Sequence, residues 1–346
     1  MTPKKSIIPI FIPHAGCRHA CVFCNQHRIS NAAGIATPDI VRAAYASLAG
    51  EGGENRYSAP MLPPRHTQLA FYGGSFTAIP PEQQNDLLEA AQPFLRLGPH
   101  NSIRVSTRPD CIDDPTVARL KGYGVKTIEL GAQSMCDDVL ARSRRGHTSA
   151  DVARAAETIK SAGLELILQM MTGLPGDDGD ESRCTAKRFI ELEPDGVRIY
   201  PTVVVRGTAL FELWQGGQYK EHSLEDAVKL CAEIAAMFRN AEIPVIRIGL
   251  NPTEALTAGD AAAGAYHPAL GEMVYSKLYF DKAAALLKDV APGSNISITV
   301  SKGRISMMIG HKRKNIRALT EDFSLKSVKV VEADVAHGEI RIEIIP

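Results

Sequence analysis

Short apolar runs separated by amphipathic stretches recur along the first 250 residues of the chain. The apolar runs predict buried strands, at 7–12, 68–72, 102–106, 126–130, 164–171 and 196–200. Helix-start signals follow the apolar runs, such as Thr37-Pro38 after the first run and the capping-box pattern that begins at Ser223 after the last. Strands that are apolar throughout are typical of a sheet covered on both faces. Strand and helix repeated about six times therefore predict an α/β fold with a parallel sheet and outer helices.

Unusual residues gather directly after the predicted strands. Three cysteines follow the first strand, Gly73-Gly74 the second, Gln133-Ser134 the fourth and Gly173-Leu174-Pro175 the fifth. In TIM-like barrels the loops at the carboxyl ends of the strands form the active site. We therefore expect a partial (β/α)6 TIM-like barrel with its site at this edge, although a doubly wound sheet would show the same alternation of strands and helices.

The remainder of the chain has a different order of elements. Residues 251–268 predict a loop near the barrel mouth, in which Glu254 and His267 are candidate site residues. A helix is expected over 270–288, and strands are expected over 296–300, 327–332 and 339–345. We place the barrel at 1–250, a connecting loop and helix that complete it at 251–290, and a small α+β domain at 291–346.

Composition is that of a soluble globular protein, with 346 residues, 45% hydrophobic and 23% charged. No apolar run approaches the roughly 20 residues that span a bilayer, and the first run is too short for a signal peptide. The seven cysteines are odd in number and mostly scattered, which is typical of a reducing cytoplasm rather than of a disulfide framework. Lys and Arg number 39, as do Asp and Glu, so nucleic-acid binding would need a local basic patch. We expect a cytoplasmic protein without a membrane partner.

Cys17, Cys21 and Cys24 have the spacing C-x3-C-x2-C, so three thiolates on one loop can bind one metal centre. A cubane iron–sulfur cluster usually takes four cysteine ligands, and three would leave one iron open. The alternative is a structural zinc whose fourth ligand is His14, His19 or His27. The spacing alone leaves both kinds of site open. The other cysteines have no partner spacing, and we expect ordinary buried thiols at Cys111, Cys136, Cys184 and Cys231.

The cysteine loop resembles the hallmark of the radical S-adenosylmethionine (radical SAM) superfamily, C-x3-C-x-aromatic-C after the first strand. Cys17, Cys21, Phe23 and Cys24 match it residue by residue. Within the superfamily, residues 7–250 resemble the radical SAM portion of the Elongator catalytic subunit. The stretches that carry this resemblance are YGGSFT at 72–77, TRPD at 107–110, IELGAQS at 128–134 with DDVL at 137–140 and RGH at 145–147, and IYPTVVVRGT at 199–208.

The resemblance implies a [4Fe–4S] cluster on the three cysteines, with SAM on the fourth iron and cleaved by one electron to the 5′-deoxyadenosyl radical. It also implies an electron donor such as ferredoxin or flavodoxin. Phe23 matches a cofactor-binding position of the motif. The other positions that match SAM contacts are Gly73 and Gly74 (backbone to the SAM amino group), Gln133 and Gln169 (ribose), Arg145 (carboxylate) and Tyr200 (adenine). Glycine permits close backbone approach, and arginine suits bidentate carboxylate binding. No residue is assigned to chemistry on the substrate.

Two departures limit what the resemblance implies. Ser106 stands where relatives often carry glutamate before Thr-Arg-Pro, so we expect one carboxylate contact to SAM to be missing or weakened. The acetyltransferase domain and the basic N-terminal tRNA-binding extension of the Elongator subunit have no match in this sequence. Its acetyl-CoA-dependent uridine chemistry is therefore not carried over.

The C-terminal order β-α-loop-α-β-β resembles a KH fold, which clamps a nucleic-acid backbone with a GXXG loop. Here the loop is Gly310-His311-Lys312-Arg313, with arginine in place of the second glycine. From Ser301 to Arg317 there are six basic residues and no acidic one, although a solvated helix face is the alternative. The expected RNA contacts, to phosphate rather than to bases, are Lys302, Arg304, Gly310, His311, Lys312, Arg313, Lys314 and Arg317.

Together these features predict a cytoplasmic [4Fe–4S] radical SAM enzyme that acts on RNA, in particular tRNA, with the basic tail delivering the substrate to the barrel mouth. One alternative is a radical SAM enzyme for a small metabolite or a protein side chain, in which the tail only closes the open edge of the barrel. A second alternative is an RNA-binding or sensor protein that carries the cluster without turnover.

Overall fold

The computed structural model describes residues 6–17, 21–25, 29–30, 34, 36–49, 67–336 and 338–346. Residues 50–66 lie outside the described residues, as do the candidate zinc ligands His19 and His27. Within the described ranges, none of the helices has both the length and the apolar character that crossing a membrane requires.

Seven parallel strands form the main sheet, in the spatial order in which they follow along the chain. They are β1 (Ser6–Phe11), β2 (Thr67–Tyr72), β3 (Ser102–Thr107), β4 (Val125–Gln133), β5 (Glu165–Thr172), β6 (Gly196–Pro201) and, after the separate short strand β7 (Val203–Val205), β8 (Val245–Ile248). A doubly wound sheet reverses its strand order at a switch point, whereas this order does not reverse. The predicted partial TIM-like barrel is therefore confirmed, with β8 in addition to the six expected strands.

Helices connect the strands, and most of them cover the outside of the sheet. They are α1 (Pro38–Ala49), α2 (Pro81–Ala90), α3 (Gln92–Arg96), α4 (Asp114–Gly122), α5 (Asp137–Arg142), α6 (Ser149–Ser161), α7 (Asp180–Glu191), α8 (Ala209–Gln215) and α9 (Leu224–Asn240). Side-chain caps fix where several of them begin. The side chain of Asp113 accepts a hydrogen bond from the backbone N–H of Thr116, and Thr148 forms a capping box with Asp151.

The two faces of the sheet differ in chemistry. The outer face packs against the helices in one hydrophobic core, whose largest fully buried side chains include Phe71, Phe76, Phe94, Phe189 and Phe238. Successive residues of a strand point to opposite faces of the sheet. The side chains that point to the inner face include buried polar and charged groups. Arg104 and Glu129 are examples, and each is less than 4% exposed. A buried charge is costly unless it has a partner, which can be another side chain or a ligand. The charged inner face is therefore where we expect a binding site.

Residues 251–268, predicted as a loop, contain more structure than expected. A π-helical turn spans Leu256–Asp260, and it leads into β9 (Ala261–Gly264). β9 pairs in antiparallel fashion with β7, next to the C-terminal end of β6. Its sequence is rich in alanine and glycine and lacks the β-branched residues that indicate a strand.

α10 (Leu270–Leu287) joins the barrel to the C-terminal part of the chain. Leu270 and Val274 pack into the barrel core, whereas Ala283 and Leu287 pack into a second core. That second core lies within the remaining elements, β10 (Asn295–Ser301), α11 (Ile305–Ile309), α12 (Lys314–Asp322), β11 (Ser327–Ala333) and β12 (Ile340–Ile345). β10 is the central strand, parallel to β11 and antiparallel to β12. The predicted KH-like order of elements is confirmed.

Candidate active site

A cavity of about 760 Å³ opens at the carboxyl ends of the main-sheet strands. Alternate residues of β4 face it, at Glu129, Gly131 and Gln133. The residues that the sequence assigns to the cluster and to SAM all line this one cavity, namely Cys17, Cys21, Phe23, Cys24, Gly73, Gly74, Gln133, Arg145, Gln169 and Tyr200. The structure thus brings together residues that lie up to 183 positions apart in the sequence (200 minus 17).

Backbone contacts seat the cysteine loop on the end of β2. The N–H of His14 donates to the carbonyl of Gly73 at 2.9 Å, and the N–H of Ser75 donates to the carbonyl of Ala15 at 2.8 Å. A Cβ atom at Gly74 would lie 2.5 Å from the carbonyl oxygens of Ala15 and Ile12, closer than real contacts allow. Glycine at position 74 is therefore required for the two loops to pack, before any ligand is considered.

The same loop is fixed from its other side. The N–H of Val22 donates to the carbonyl of Ser143, and the carbonyl of Val22 accepts from the N–H of Leu210 at 2.7 Å. The side chains of Val22 and Phe23 are buried in a small hydrophobic cluster with Leu210. Contacts on both sides hold Cys21 and Cys24, which flank this pair, against the cavity wall.

The thiol of Cys17 lies near that of Cys21 and near two arginines. Cys17 has an exposed surface, yet partial desolvation by its neighbours raises the pKa of its thiol, as does the nearby Cys21, whereas Arg108 and Arg145 lower it. Within the described part of the chain, no three His, Cys, Asp or Glu side chains converge on a point that could hold a single metal ion. A cubane cluster offers a separate iron to each thiolate, so its ligands need not converge on one point.

Three buried polar atoms of the cavity wall have no hydrogen bond among the described residues: Gln133 Oε1, Arg145 Nε and Arg198 Nε, of which the last is ion-paired with Glu129. Arg145 does use its other nitrogens: Nη1 donates to Cys21 Sγ at 3.0 Å, and Nη2 donates to the carbonyl of Gly131. Gln133 has a left-handed φ of 66°, which is strained for glutamine. Buried polar atoms without partners are costly, so Gln133 Oε1 and Arg145 Nε, which have no ion-pair partner among the described residues either, mark where polar groups of a ligand would bind.

His147 lies behind Arg145 and has its ring nitrogen Nε2 3.2 Å from the carbonyl oxygen of Ala132. Burial lowers the pKa of His147 to about 4, and the positive charge of Arg145 contributes to this shift. The ring is therefore neutral at pH 7 and donates from Nε2. It supports the turn that carries Arg145 without adding a second positive charge.

A buried ionic network that sequence reasoning missed occupies the inner face of the barrel. Glu129 is its centre: Arg104 donates to Oε2 at 3.0 Å, the Nε of Arg198 lies 2.9 Å from Oε1, and the amide of Gln169 also donates to Oε1. Arg198 extends across the barrel and donates from Nη2 to the hydroxyl of Tyr72 at 3.0 Å. The signal in the sequence was a charged residue at an inward position of an otherwise apolar strand.

Two predicted SAM contacts are members of this network. Gln169 binds Glu129, and the hydroxyl of Tyr200 lies 3.5 Å from Arg198 Nη1, which donates to it. Ser106, the position expected to lack a carboxylate, is the register partner of Glu129 across β3 and β4. Among the described residues that line the cavity, Glu129 is the single acidic side chain. The negative charge at this level of the barrel is thus on β4 instead of β3.

The basic loop of the tail, residues 310–313, has the positive φ values that are typical of a glycine-rich loop. Gly310, Lys312 and Arg313 have φ values of 73°, 48° and 63°. Arg313, which replaces the second glycine of the GXXG pattern, is thus in the left-handed conformation that glycine favours. The side chains of His311, Lys312 and Arg313 are exposed. The other predicted RNA contacts are exposed at Lys302, Lys314 and Arg317 and half-buried at Arg304 and Gly310.

Asn315 holds this loop against the helix that connects to the barrel. Its buried side-chain amide lies 3.0 Å from the carbonyl oxygen of Ser276 on α10 and 3.1 Å from that of Met308. A Cβ atom at Gly310 would lie 2.9 Å from Asn315 Cγ, so the loop and the asparagine are packed directly together. Asn315 therefore holds the loop in a fixed position relative to α10.

Comparison with known families decides between the kinds of metal site. The model of the radical SAM superfamily matches residues 11–188, about half of the chain, and that of the radical SAM C-terminal domain matches residues 194–279. The chain belongs to the radical SAM superfamily. A fold neighbour of this radical SAM chain is the archaeal Methanocaldococcus infernus Elp3 with an N-terminal deletion, at a TM-score of 0.60 and 21% identity, covering 82% of this chain and 64% of that one.

Two curated relatives are similar over the barrel. A tRNA uridine(34) acetyltransferase of Methanocaldococcus jannaschii is 30% identical over 188 residues, which are 49% of this chain and 35% of that protein. Elongator complex protein 3 of Homo sapiens is 34% identical over 187 residues, 48% of this chain and 34% of that protein. The match spans about a third of the length of these relatives. The chain is thus an Elp3-like radical SAM protein.

The cavity fits the cofactors of this family, a [4Fe–4S] cluster and SAM. Cys17, Cys21 and Cys24 supply three thiolates on a loop that is fixed on both sides. Gln133 and Arg145 supply the polar atoms without partners on the facing wall. Their individual roles toward SAM stay predictions from the motif. Of the zinc ligands considered, His14 is within the described residues and lines the same cavity.

Other candidates lie elsewhere. Glu254 is exposed and does not line the cavity, and His267 accepts a hydrogen bond at Nδ1 from the N–H of Ala269 at the start of α10. The expectation of buried thiols at the remaining cysteines is wrong for Cys184, which is exposed on α7, and holds fully for Cys231. Cys111 and Cys136 are partly buried.

Proposed function

We propose that this radical SAM enzyme modifies RNA, and specifically tRNA, using the radical chemistry of its family. The observation that carries the proposal is the basic loop at 310–313, held in a KH-like shape on a helix shared with the barrel core. The names of the two curated relatives, a tRNA uridine(34) acetyltransferase and Elongator complex protein 3, support the choice of tRNA. A cytoplasmic location and an electron donor of the ferredoxin or flavodoxin type belong to the same proposal.

The residues of the cavity have distinct tasks under this proposal. When bound, the cluster supplies the electron that cleaves SAM. Cys17, Cys21 and Cys24 hold the cluster, and Gly74 allows their loop to pack closely enough on β2. Arg145 orients the SAM carboxylate through a charge-assisted hydrogen bond, and Gln133 binds the ribose. The walls exclude water from the space between SAM and the substrate, which protects a reactive intermediate from side reactions.

The tail acts before chemistry by binding the RNA backbone. Exposed Lys and Arg side chains around the loop neutralise phosphates, which gives affinity without sequence selection. α10 carries both Ser276, which anchors the loop through Asn315, and Val274, which packs into the barrel core. A strand of RNA bound at the loop is therefore held at a fixed position relative to the barrel.

A charge-reversal experiment tests the RNA proposal. Lys312→Glu/Arg313→Glu should abolish a gel shift with tRNA at low salt. Lys326→Glu/Lys329→Glu is a matched control, because both lysines are exposed on the same domain and change the net charge equally. The helix α12 separates them from the loop along the chain, and the N–H of Lys326 donates to the carbonyl of Ser294. Equal loss in both variants, or no tRNA binding by the unaltered protein, would reject the proposal.

A further inference from the structure

Part of the cavity is lined by residues that have no assigned cofactor role, apart from Tyr200, which the motif assigns to the SAM adenine. At the β6 and β8 side it is lined by Arg198, Tyr200, Arg247 and Asn251, and Tyr72 reaches this group across the barrel. The cysteines, Gln133 and Arg145 line the other part. The cavity therefore has a second region in which Tyr72, Arg198 and Arg247 have no role toward the cofactors.

Positive charge exceeds negative charge in this second region. Glu129 is shared by Arg104 and Arg198, so one carboxylate faces two guanidinium groups. Arg247 has no carboxylate partner among the described residues. Its Nε donates to the carbonyl of Gly249 at 2.8 Å, and its Nη2 donates to that of Leu250 at 3.0 Å. These bonds fix the guanidinium at the cavity wall and leave Nη1 without a partner in the described part of the chain.

The uncharged groups of this region are also hydrogen-bond donors. The hydroxyls of Tyr72 and Tyr200 both accept from Arg198, so each has its own proton available to donate. Burial raises the pKa of Tyr72 to about 12 and also raises that of Tyr200, so both phenols stay protonated at pH 7. Neither hydroxyl proton has an acceptor among the residues described. The region thus offers several donors and, apart from the shared Glu129, no charged acceptor.

We propose that the region formed by Tyr72, Arg198, Tyr200 and Arg247 is a substrate subsite that binds an oxyanion, separate from the SAM carboxylate site at Arg145. An oxyanion accepts several hydrogen bonds at once and is matched by fixed guanidinium groups. It would also balance the excess positive charge, which is costly to bury without a counter-ion. The assignment of this anion to the substrate rests on the proposed function, in which it is a nucleotide phosphate.

Binding measurements test the subsite without relying on turnover. The reconstituted protein, with saturating SAM and no reductant, is titrated with uridine 5′-monophosphate, uridine and succinate by isothermal calorimetry. SAM occupies its own site, so an anion must bind elsewhere. We expect the monophosphate to bind at least tenfold more tightly than uridine, and Arg247→Gln to remove this difference. Tyr72→Phe, which deletes one donor and leaves the charges in place, should weaken binding a few-fold.

Arg206→Gln is the matched control, because Arg206 is an exposed arginine that also donates to a backbone carbonyl, that of Gly259, but does not line the cavity. It should leave anion binding unchanged. If succinate binds with the same dependence on Arg247 and the monophosphate does not bind, the oxyanion subsite stands and the RNA-modifying function fails. If no anion binding depends on Arg247, or if Arg206→Gln has an equal effect, the subsite is refuted.

Discussion

The guanidinium of Arg145 lies 3.0 Å from the sulfur of Cys21, across the point where the cluster loop meets the end of β4. The contact places a fixed positive charge beside a cluster ligand, and the same side chain keeps a buried Nε without a partner. Arg145 is thus shared between the cluster loop and the region where SAM would bind. Substitution of Arg145 should therefore affect SAM binding.

Arg145→Gln should weaken SAM binding by at least tenfold, about 1.4 kcal/mol, because it would remove the charged hydrogen bond that we propose between Arg145 and the SAM carboxylate. Equilibrium dialysis of labelled SAM against the reconstituted, unreduced protein measures this change. The neighbouring Arg144 is exposed and provides the control. Arg144→Gln should bind SAM normally, and equal affinities of the two variants would show that Arg145 does not contact SAM.

Gly74→Ala should disrupt the cysteine loop. The added methyl group would lie 2.5 Å from two carbonyl oxygens, so the loop must shift away from β2. We expect a loss of about 1–3 kcal/mol in stability and a large fall in the iron and sulfide bound after anaerobic reconstitution. Gly122→Ala is the control, because its methyl group would meet nothing within 4 Å at the end of α4. Full iron loading of Gly74→Ala would contradict this account of the loop.

Arg313→Gly should change stability and RNA affinity in opposite directions. Arg313 has a left-handed backbone that costs a non-glycine residue roughly 1 kcal/mol, so glycine should raise the free energy of unfolding by about that amount. The lost charge should weaken RNA binding and make the salt dependence shallower by about one phosphate contact. Arg313→Ala separates the two effects, since it removes the charge and keeps the strain. Urea unfolding and RNA titrations at several salt concentrations measure both, and unchanged affinity in both variants would exclude Arg313 from the RNA surface.

His147 should make the protein less stable in mild acid. Its folded pKa, about 4, is below its ordinary value of 6.5, so the unfolded chain binds a proton that the folded chain does not. The stability that His147 contributes is present above pH 6.5 and is lost as the pH falls toward 4. Between pH 7 and pH 5 this amounts to about 2 kcal/mol. Urea unfolding of His147→Asn should show a smaller loss over this range, whereas His311→Asn, at an exposed site, should behave like the unaltered protein.

Glu129→Gln should destabilise the barrel by about 3–5 kcal/mol, because Arg104 and Arg198 would lose the carboxylate that they share in a buried setting. Adding Arg198→Met should recover part of that loss by removing one uncompensated charge. A double-mutant cycle from urea unfolding measures the coupling. Additive losses would show that the pair does not interact as the structure indicates.

The sequence predicts the cluster loop and the strand ends well, because both rest on local patterns. The spacing of Cys17, Cys21 and Cys24 and the glycines after β2 are visible in short stretches. The ionic network is different, since Arg104, Glu129 and Arg198 come from three strands and meet only in the folded barrel. Each residue alone resembles an ordinary charged side chain.

Two further features of the structure differ from the sequence-based expectations: the conformation of Arg313 and the presence of β8. Arginine at position 313 weakens the resemblance to a GXXG loop, yet the chain places Arg313 in the left-handed conformation that glycine would adopt. β8 has only four residues, too few for a strand pattern to stand out, and its partner β6 lies 44 positions earlier in the sequence, counted from Pro201 to Val245. Tertiary packing, rather than local propensity, determines both features.

Mass spectrometry of nucleosides from total tRNA tests the central claim most directly. A deletion strain would be complemented with the unaltered gene, with Cys21→Ala or with Cys231→Ala, a buried cysteine outside the cavity. We predict that one modified nucleoside is missing from the deletion strain and from the Cys21→Ala strain and is restored by the unaltered protein and by Cys231→Ala. Identical nucleoside profiles in all strains would contradict a role in tRNA modification.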